Sequence, residues 1–443
     1  MSSEWQKVRL DHIADVNPTR KVRKGSIVPF VDMAALPQNS RDISSVNVIA
    51  REAKGAGAHF QNGDTLLARI TPCLENGKTA QVRCLESTAV AEGSTEFIVL
   101  CGKDPADNDF IYYLCREPEF REYAIGRMEG TSGRQRVSWQ SIAAYELSFL
   151  PPIERRAAAR VLTALDDRIT LLRETNATLE AIAQTLFKSW FVNFDPVRAK
   201  SEGRAPEGMD EATAALFPDS FEESAMGLVP TGWRVQVLGE LCSVTIGGLW
   251  GNDERDDAEL VPAISLRGVD LEHLRAEGYA KNAPTRWVKP SAMDKRRLCE
   301  SEVLIASSGA GPCGRPLWAG AGFEALYGMP VIFSNFVKRL DCGSPARAIY
   351  IDRLLAEMRE TREIWNYING TSIPNLDDRL LLATKKVIVP DKSVLSEFEG
   401  VARAIYERLY SQKAQTLATL RDTLLPRLIS GQLRLQLHEE IHG

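Results

Sequence analysis

An internal repeat constrains the fold of this chain more than any other feature of its sequence. Residues 5–16 return without a gap as residues 233–244, so that Trp5 is matched by Trp233. Later matches keep the same order: residues 64–68 with 302–306, 77–78 with 314–315, 130–132 with 370–372, and 150–151 with 389–390. A period of roughly 240 residues is far longer than the ~20–50 residues of a solenoid unit. The repeat therefore predicts two copies of one globular domain, each followed by a helix, as a pseudo-symmetric dimer within one chain.

Composition and charge narrow the class of protein. The 443 residues are enough for two or three domains. Without a membrane-length apolar run or a signal-peptide pattern, and with eight scattered cysteines, the chain is expected to be cytoplasmic with reduced thiols. The net charge of -5 is unevenly distributed, because acidic residues crowd residues 207–223 while basic residues cluster at 20–24 and 295–297. A basic face on an acidic protein is compatible with DNA binding, and DNA suits a pseudo-symmetric protein; a merely solvated surface is the alternative.

The pattern along the chain predicts an α+β fold with five segments. Residues 1–152 and 233–390 are the two globular domains, and residues 193–232 are an acidic connector rich in Pro and Gly. Residues 153–192 and 391–443 are the regions of the two long helices. Within the first domain, residues 97–100 and 147–150 are predicted strands and residues 108–128 a helix, whose counterpart in the second domain is 348–368. The connector is expected to contain a short helix at 212–217, and Trp5 and Trp233 are expected in the core.

The first long helix has the apolar spacing of a coiled coil. Its predicted seam follows alternate steps of three and four and consists of Leu162, Leu165, Ile169, Leu172, Asn176, Leu179, Ala183, Leu186 and Trp190. Asn176 is expected to set the register of the pair. The second helix has a looser seam at Ile405, Leu409, Leu417, Leu420 and Leu424. We expect the two to form an antiparallel coiled coil of about 36 residues, roughly 54 Å long, that holds the domains apart; a helix packed on its own domain is the alternative.

Four stretches carry a resemblance to a known family. They are residues 69–78 (RITPCLENGK), 185–196 (TLFKSWFVNFDP), 213–221 (TAALFPDSF) and 424–432 (LLPRLISGQ). With the repeat and the helices, they resemble the specificity (S) subunit of Type I restriction-modification systems over essentially the whole length. The resemblance implies two target-recognition domains, each reading one half of a split, asymmetric double-stranded DNA sequence. It also implies helices that act as a ruler and dock two methyltransferase (M) subunits, with restriction (R) subunits completing the complex.

Other motifs are weaker indications of function. Residues 309–314 fit G-x-G-x-x-G, but Pro312 and Pro316 interrupt the helix that a dinucleotide site needs. Residues 438–442 fit H-E-x-x-H, but the motif lies one residue from the end of the chain and is expected to be a polar tail. No methyltransferase motif, ATP-binding loop or nuclease centre is recognisable. The chain is expected to be non-catalytic and without cofactor or metal, while the resemblance implies S-adenosylmethionine, ATP and Mg²⁺ on the partner subunits.

Candidate DNA contacts are Arg, Lys, Asn and Gln for base edges, and Ser, Thr and backbone amides for phosphates. In the first copy they are Arg20, Lys21, Arg23, Lys24, Arg69, Thr71, Lys78, Thr131, Ser132, Arg134, Gln135 and Arg136. In the second copy they are Arg286, Lys289, Lys295, Arg296, Arg297, Ser307, Ser308, Arg315, Thr371, Ser372 and Asn375. The recurring Gly-Thr-Ser loop fits either a DNA contact or a structural turn. A protein-assembly scaffold without DNA readout is the alternative function, and a self-contained methyltransferase or nuclease is a third, disfavoured hypothesis.

Overall fold

The computed structural model describes residues 6–131, 133–320, 322–370, 372–410 and 413–435. Within them the chain forms two compact units. The first unit contains the chain up to Leu171 together with the chain from Gln415 onward, and the second runs from Leu172 to Ala414. Each unit therefore contains one globular α+β domain and part of both long helical regions. Trp5 and the histidine motif at 438–442 lie outside the described residues.

The first unit is built from short strands, most of which form two four-stranded sheets. Its strands are β1 (Lys7–Arg9), β2 (Ala14–Val16), β3 (Ile27–Val31), β4 (Ile49–Glu52), β5 (Ala58–Phe60), β6 (Thr65–Ala68), β7 (Thr79–Gln81), β8 (Ala91–Gly93), β9 (Phe97–Gly102), β10 (Met128–Glu129), β11 (Arg136–Val137) and β12 (Glu146–Ser148). One sheet has the antiparallel order β2-β9-β6-β7. The other has the order β4-β3-β8-β5, in which β3 and β8 are parallel. Two ribbons, β1-β12 and β10-β11, complete the domain.

The helices of this unit are α1 (Asn108–Arg116), α2 (Pro118–Ile125), α3 (Trp139–Ala143) and the start of α4 (Pro152–Phe187). The single helix expected over 108–128 is wrong, because the chain is extended at Glu117, with ψ 133°. The proline ring of Pro118 disfavours a helical conformation in the residue before it, and Pro118 then begins α2. Strand β9 confirms the expected strand at 97–100, whereas β12 covers only the first part of the one expected at 147–150.

The second unit continues α4 through a π-helical turn, Lys188–Val192, into the connector. The connector and domain contain α5 (Asp195–Ser201), α6 (Glu211–Ala215), β13 (Phe221–Ser224), β14 (Gly227–Pro230), β15 (Arg234–Val237), β16 (Ser243–Gly247), β17 (Val261–Leu266), α7 (Gly268–Glu277), β18 (Thr285–Val288), α8 (Pro290–Asp294), β19 (Glu302–Ala306), β20 (Pro316–Trp318), α9 (Phe323–Tyr327), β21 (Val331–Phe333), β22 (Val337–Asp341), α10 (Pro345–Glu360), β23 (Ile368–Asn369), β24 (Asn375–Leu376), α11 (Asp378–Thr384), β25 (Lys386–Val389) and α12 (Lys392–Leu409). The helix expected at 348–368 ends at Glu360 and is followed by a 3₁₀ segment, Glu363–Tyr367.

Strand order in the second unit repeats that of the first. The sheet β16-β22-β19-β20 matches β2-β9-β6-β7, and β18-β17-β21, with β17 and β21 parallel, matches β4-β3-β8. The ribbons β15-β25 and β23-β24 match β1-β12 and β10-β11. The internal repeat of the sequence is thus confirmed as a repeat of topology.

The connector is an ordered part of the second unit. Aromatic side chains from the end of α4, the π-helical turn, the connector, the residue before β15 and α12 form one buried cluster. It includes Phe187, Trp190, Phe217, Trp233 and Phe398. Trp190 and Phe217 meet edge to face with their ring centroids 5.0 Å apart. Trp233 is buried, as the sequence predicted.

The two long helical regions run antiparallel within each unit. In the second unit, Asn176 of α4 lies beside Leu409, and Phe187 lies beside Phe398. In the first unit, Asp166 of α4 pairs with Arg421. The second region is described as two helices, α12 and α13 (Lys413–Ile429), with residues 411 and 412 between them outside the described residues.

Candidate nucleic-acid interface

Three chain segments of the first unit meet at one edge of the sheet that contains β6. The backbone N–H of Arg69, just after β6, donates to the carbonyl of Glu96 at 3.0 Å. Val137 of the β10-β11 hairpin donates to the carbonyl of Arg69 at 3.0 Å, and Thr71 donates to that of Gln135 at 3.0 Å. We call residues 69–71, 94–96, 130–131 and 133–136 the first loop face.

The second unit builds the same backbone frame. Ser307, just after β19, donates to the carbonyl of Phe336 at 2.8 Å, and Leu376 donates to that of Ser307 at 2.9 Å. Gly309 donates to the carbonyl of Pro374 at 3.1 Å. Residues 307–309, 334–336, 370 and 372–375 are the second loop face. The structure therefore brings Ser307 and Ser308 to the same face as the loop at 372–375. The sequence had indicated these as separate candidate DNA contacts.

The glycine of the repeated Gly-Thr-Ser loop is required by the turn. Gly130 has φ 127° and Gly370 has φ 92°, in the left-handed region that other residues rarely adopt. A Cβ on Gly130 would lie 3.0 Å from the carbonyl oxygen of Arg134, and one on Gly370 would lie 2.6 Å from that of Ile373. The two glycines thus have a structural role in the turn. Thr131 and Ser372 of the same loops are exposed and can contact a ligand. Ser132 and Thr371 lie outside the described residues.

The first loop face is polar and rich in arginine. Arg136 makes a bidentate ion pair with Glu96, with an Nη2–Oε1 distance of 2.7 Å and an Nε–Oε2 distance of 3.0 Å. Arg134 is exposed at the tip of the hairpin, and Gln135 is half-buried. The pair with Glu96 holds the Arg136 guanidinium in one orientation, which is the condition for a directional contact with a base.

A cleft of about 290 Å³ adjoins this face, lined by polar residues that include Thr19, His59, Arg69 and Thr95. Arg69 Nε and His59 Nε2 are buried without a hydrogen-bond partner among the described residues. Thr71 Oγ1 is likewise buried without a hydrogen-bond partner among these residues. Arg69 Nε can only donate, and a donor is costly to bury unpaired, so the cleft favours a ligand that accepts a hydrogen bond from Arg69.

Several predicted contact residues already have partners within the chain. Arg20 pairs with the buried Asp64, with 2.8 Å between Nη2 and Oδ1, and Lys78 Nζ donates to the carbonyl of Met33 at 2.7 Å. In the second unit the ion pairs are Arg286 with Asp253, Arg297 with Glu324 and Arg315 with Glu272, while Arg296 Nε donates to the carbonyl of Gly247. Each of these side chains is thus oriented by a carboxylate or a carbonyl. Their contact with DNA stays a prediction.

The remaining candidates differ in exposure. Lys21, Arg23, Lys24, Lys289 and Lys295 are exposed. Asn375 is exposed, and its Nδ2 donates to the carbonyl of Ile373 at 3.0 Å. Ser308 is half-buried, and Ser307 is buried.

Sequence reasoning missed four residues that shape the two faces: Glu96, His59, Phe336 and Ile373. Glu96 and Phe336 occupy matching turns, each one residue before the buried strand β9 or β22. No match of the sequence repeat reaches these two turns, so only the paired strands of the structure identify them. Phe336 is 59% exposed and Ile373 is 63% exposed.

The helical seam is largely where the sequence placed it. Ile169, Asn176 and Leu409 are buried, and Leu165, Leu172, Leu179, Leu186, Leu417 and Leu424 are half-buried. Leu420 is 45% exposed, so its assignment to the seam is wrong. Leu425, Leu428 and Ile429 are buried instead, which places the apolar stripe of α13 on a neighbouring face.

The comparisons with known proteins agree with this geometry. The chain is 24% identical to the Type I restriction enzyme HindI specificity subunit of Haemophilus influenzae, over 88% of this chain and 90% of that one. It is 23% identical to the MjaIX specificity subunit of Methanocaldococcus jannaschii, over 75% and 71%. The chain resembles Type I specificity subunits. The resemblance inferred from the sequence is thereby confirmed.

A solved structure shares the fold. The Type I restriction-modification S subunit from M. genitalium superposes with a TM-score of 0.52 and 17% identity, covering 96% of each chain. No protein-family model matches the chain. Among the described residues, no helix combines the length and apolar character that a bilayer span requires.

Proposed function

We propose that this chain is the DNA-specificity subunit of a Type I restriction-modification complex, in which each loop face reads one half of a bipartite, asymmetric double-stranded target. One observation carries the proposal. The two units hold the same backbone frame but present different side chains on it: Arg69, Glu96 and Arg136 on the first face, and Ser307, Phe336 and Asn375 on the second. A repeated scaffold with unlike contact residues is what an asymmetric target of two halves requires.

The remaining parts of the complex follow from this role. The antiparallel helices dock two methyltransferase subunits, and restriction subunits join this complex. Those partner subunits bind and use S-adenosylmethionine, ATP and Mg²⁺. This chain directs the chemistry of the partner subunits to the DNA target, in the cytoplasm. The likeness to specificity subunits over most of the chain supports this assignment.

The first prediction tests base reading by Arg134. In the complex with its methyltransferase subunits, Arg134→Ala weakens binding to the specific target by about tenfold, the value of one good base contact. Because Arg134 belongs to the first loop face, discrimination is lost at one half-site only. Gel shifts with duplexes altered in one half at a time measure this, after methylome sequencing of a host with and without the gene has defined the motif.

The matched control is Arg9→Ala. Arg9 is also exposed, and its side chain pairs with the nearby Asp11 at 2.6 Å. Its removal leaves both half-sites unchanged. If Arg134→Ala weakened binding to specific and unrelated DNA equally, Arg134 would be a phosphate contact rather than a base contact. If the wild-type complex showed no sequence preference, the scaffold alternative would replace the proposed function.

A further inference from the structure

The two loop faces differ in the kind of contact they offer. The segments of the first face contain Arg69, Arg134 and Arg136, whereas residues 307–309, 334–336 and 370–375 contain no Arg or Lys. The turn that presents Glu96 to Arg136 in the first unit presents Phe336 in the second. Where one unit holds an ion pair, the other holds an exposed phenyl ring.

The exposure of Phe336 is a property of an ordered turn. Val337 donates its N–H to the carbonyl of Ser334 at 3.0 Å, and both Val337 and Ser334 are buried. The phenyl ring therefore projects from a fixed backbone. Ile373, 63% exposed, lies in the hairpin on the other side of the Ser307–Gly309 strand that Phe336 flanks. The second face thus presents two large apolar side chains on either side of one backbone segment.

An apolar protein partner is a less suitable occupant for this pair. The same backbone frame in the first unit carries a directional guanidinium that fits a base edge. The repeat places Phe336 at the position of Glu96, the carboxylate that orients this guanidinium, and Ile373 at the position of the exposed Arg134. The only apolar group that a base pair displays in the major groove is the C5-methyl of thymine. The correspondence of this frame with the arginine-rich face of the first unit therefore favours DNA, and the chemistry of the side chains favours thymine.

We infer that Phe336 and Ile373 are specificity-determining residues that contact thymine methyl groups in the second half-site. The inference rests on the proposed function and extends it: the first unit reads its half through oriented arginine, and the second reads its half through apolar contact. The second half-site accordingly contains thymine at the positions these side chains reach.

The test replaces thymine by deoxyuridine, which lacks only the methyl group. The full complex with its methyltransferase subunits is titrated with duplexes carrying deoxyuridine at each thymine of one half-site. Wild-type affinity falls about fourfold for each contacted methyl of the second half-site. Phe336→Ala or Ile373→Ala lowers affinity for the thymine duplex and removes its own share of the deoxyuridine effect.

Three controls separate the loss of this contact from a general loss of DNA affinity. Leu228→Ala removes another side chain that is 63% exposed, on β14 and away from the loop faces, and retains the full deoxyuridine effect. Thermal unfolding of Phe336→Ala matches the wild type, because the side chain is largely outside the core. Phe336→Leu, which keeps an apolar contact, retains part of the thymine preference.

The outcomes are distinct. A second half-site without thymine, wild-type binding indifferent to deoxyuridine there, or an equal deoxyuridine effect in wild type and both alanine variants overturns the inference while leaving the proposed function intact. A wild-type complex that selects no sequence at all overturns the proposed function itself.

Discussion

At the scale of single residues, buried carboxylates orient the loops near the first face. Glu92 of β8 is fully buried, and its carboxylate accepts hydrogen bonds from the backbone N–H groups of Lys54 at 3.1 Å and Gly55 at 2.8 Å. Arg51 completes the site with an Nη2–Oε2 distance of 3.0 Å. The loop that Glu92 holds continues into Gly57 and His59, which line the cleft beside Arg69. Glu92 does not line the cleft itself, but it holds the backbone of residues that do.

The pKa of Glu92 yields a prediction for stability. Burial alone would raise this pKa, but the backbone N–H of Lys54 and the side chain of Arg51 outweigh it and lower the pKa from 4.5 to about 2. A depressed carboxyl pKa stabilises the fold above the unfolded-state value and loses that contribution as pH falls from 4.5 towards 2. Glu92→Gln therefore destabilises the first unit at pH 7 by on the order of 2 kcal/mol.

Urea denaturation from pH 7 down to pH 3, followed by hydrogen exchange of the first unit, measures the difference between wild type and Glu92→Gln. The difference is constant above pH 5 and shrinks below about 4.5. Glu52→Gln, which changes an exposed carboxylate on β4, serves as the control. A difference that stayed constant down to pH 3 would contradict the role assigned to the ionised carboxylate.

At the scale of elements, α4 is attached to its surroundings by carboxylates in both units. In the first unit, Asp166 accepts from Tyr113 at 2.8 Å and pairs with Arg421 at 2.6 Å. In the second unit, Glu180 pairs with Arg275 of α7 at 2.6 Å and with Arg353 of α10 at 2.8 Å. Both attachments fix the rotation of the helix against its domain, because a slip of one residue would bury these charges without partners.

The end of α12 packs closely against α7, and this contact gives a prediction at the element scale. Gly278, the residue after α7, has φ 73°, and a Cβ there would lie 2.1 Å from the carbonyl oxygen of Leu409. Asn176 Nδ2 donates to the same carbonyl at 3.5 Å. Gly278→Ala therefore forces α7 and α12 apart and destabilises the second unit by more than ~2 kcal/mol, which chemical denaturation measures.

Gly227→Ala is the matched control. Gly227 also has a positive φ, 88°, but a Cβ there meets nothing within 4 Å. Its replacement shows the cost of the backbone conformation alone, about 1 kcal/mol. Equal destabilisation by the two substitutions would mean that the close approach of α7 and α12 contributes nothing.

At the scale of the whole molecule, the chain returns to its first unit only at its end. Leu425, Leu428 and Ile429 of α13 are buried in one core cluster with Leu10, Tyr113 and Leu162. The first unit is therefore not a segment that the N-terminal part of the chain completes alone. Its core includes residues more than 250 positions away in sequence from its own β-strands, consistent with the pairing of Asp166 with Arg421, which are 255 positions apart.

This arrangement predicts how the first unit responds to a change near the C-terminus. Leu428→Ala removes a side chain that is 1% exposed and destabilises the first unit by about 2–5 kcal/mol, as for other buried leucines. Hydrogen exchange resolved by peptide measures this effect: relative to the wild type, the exchange rate increases more in β2, β6 and β9 than in the strands of the second unit. Leu420→Ala, at a site 45% exposed on the same helix, changes stability little. Protection lost equally in both units would contradict the partition of the core.

Much of this architecture is determined by local sequence. The repeat of residues 5–16 at 233–244 predicted the paired domains, because a matching pattern of apolar residues favours matching elements of secondary structure. The heptad spacing around Ile169 and Asn176 predicted the long helix, because steps of three and four residues place apolar side chains on one helical face. The break in the helix at Glu117 could also have been predicted from the sequence, since Pro118 follows Glu117. The helical pattern of the flanking residues led to the prediction of one continuous helix instead.

Only the tertiary structure decided which polar groups are available and which are paired. Arg20 and Arg315 look like free cations in sequence, but Asp64 and Glu272 engage them through contacts that no local pattern encodes. Leu420 fits the heptad, yet it is exposed, whereas Leu425 and Leu428 on a neighbouring face of α13 are buried. Periodicity specifies which side of an element is apolar, whereas pairing and exposure depend on residues that folding brings together from distant parts of the chain.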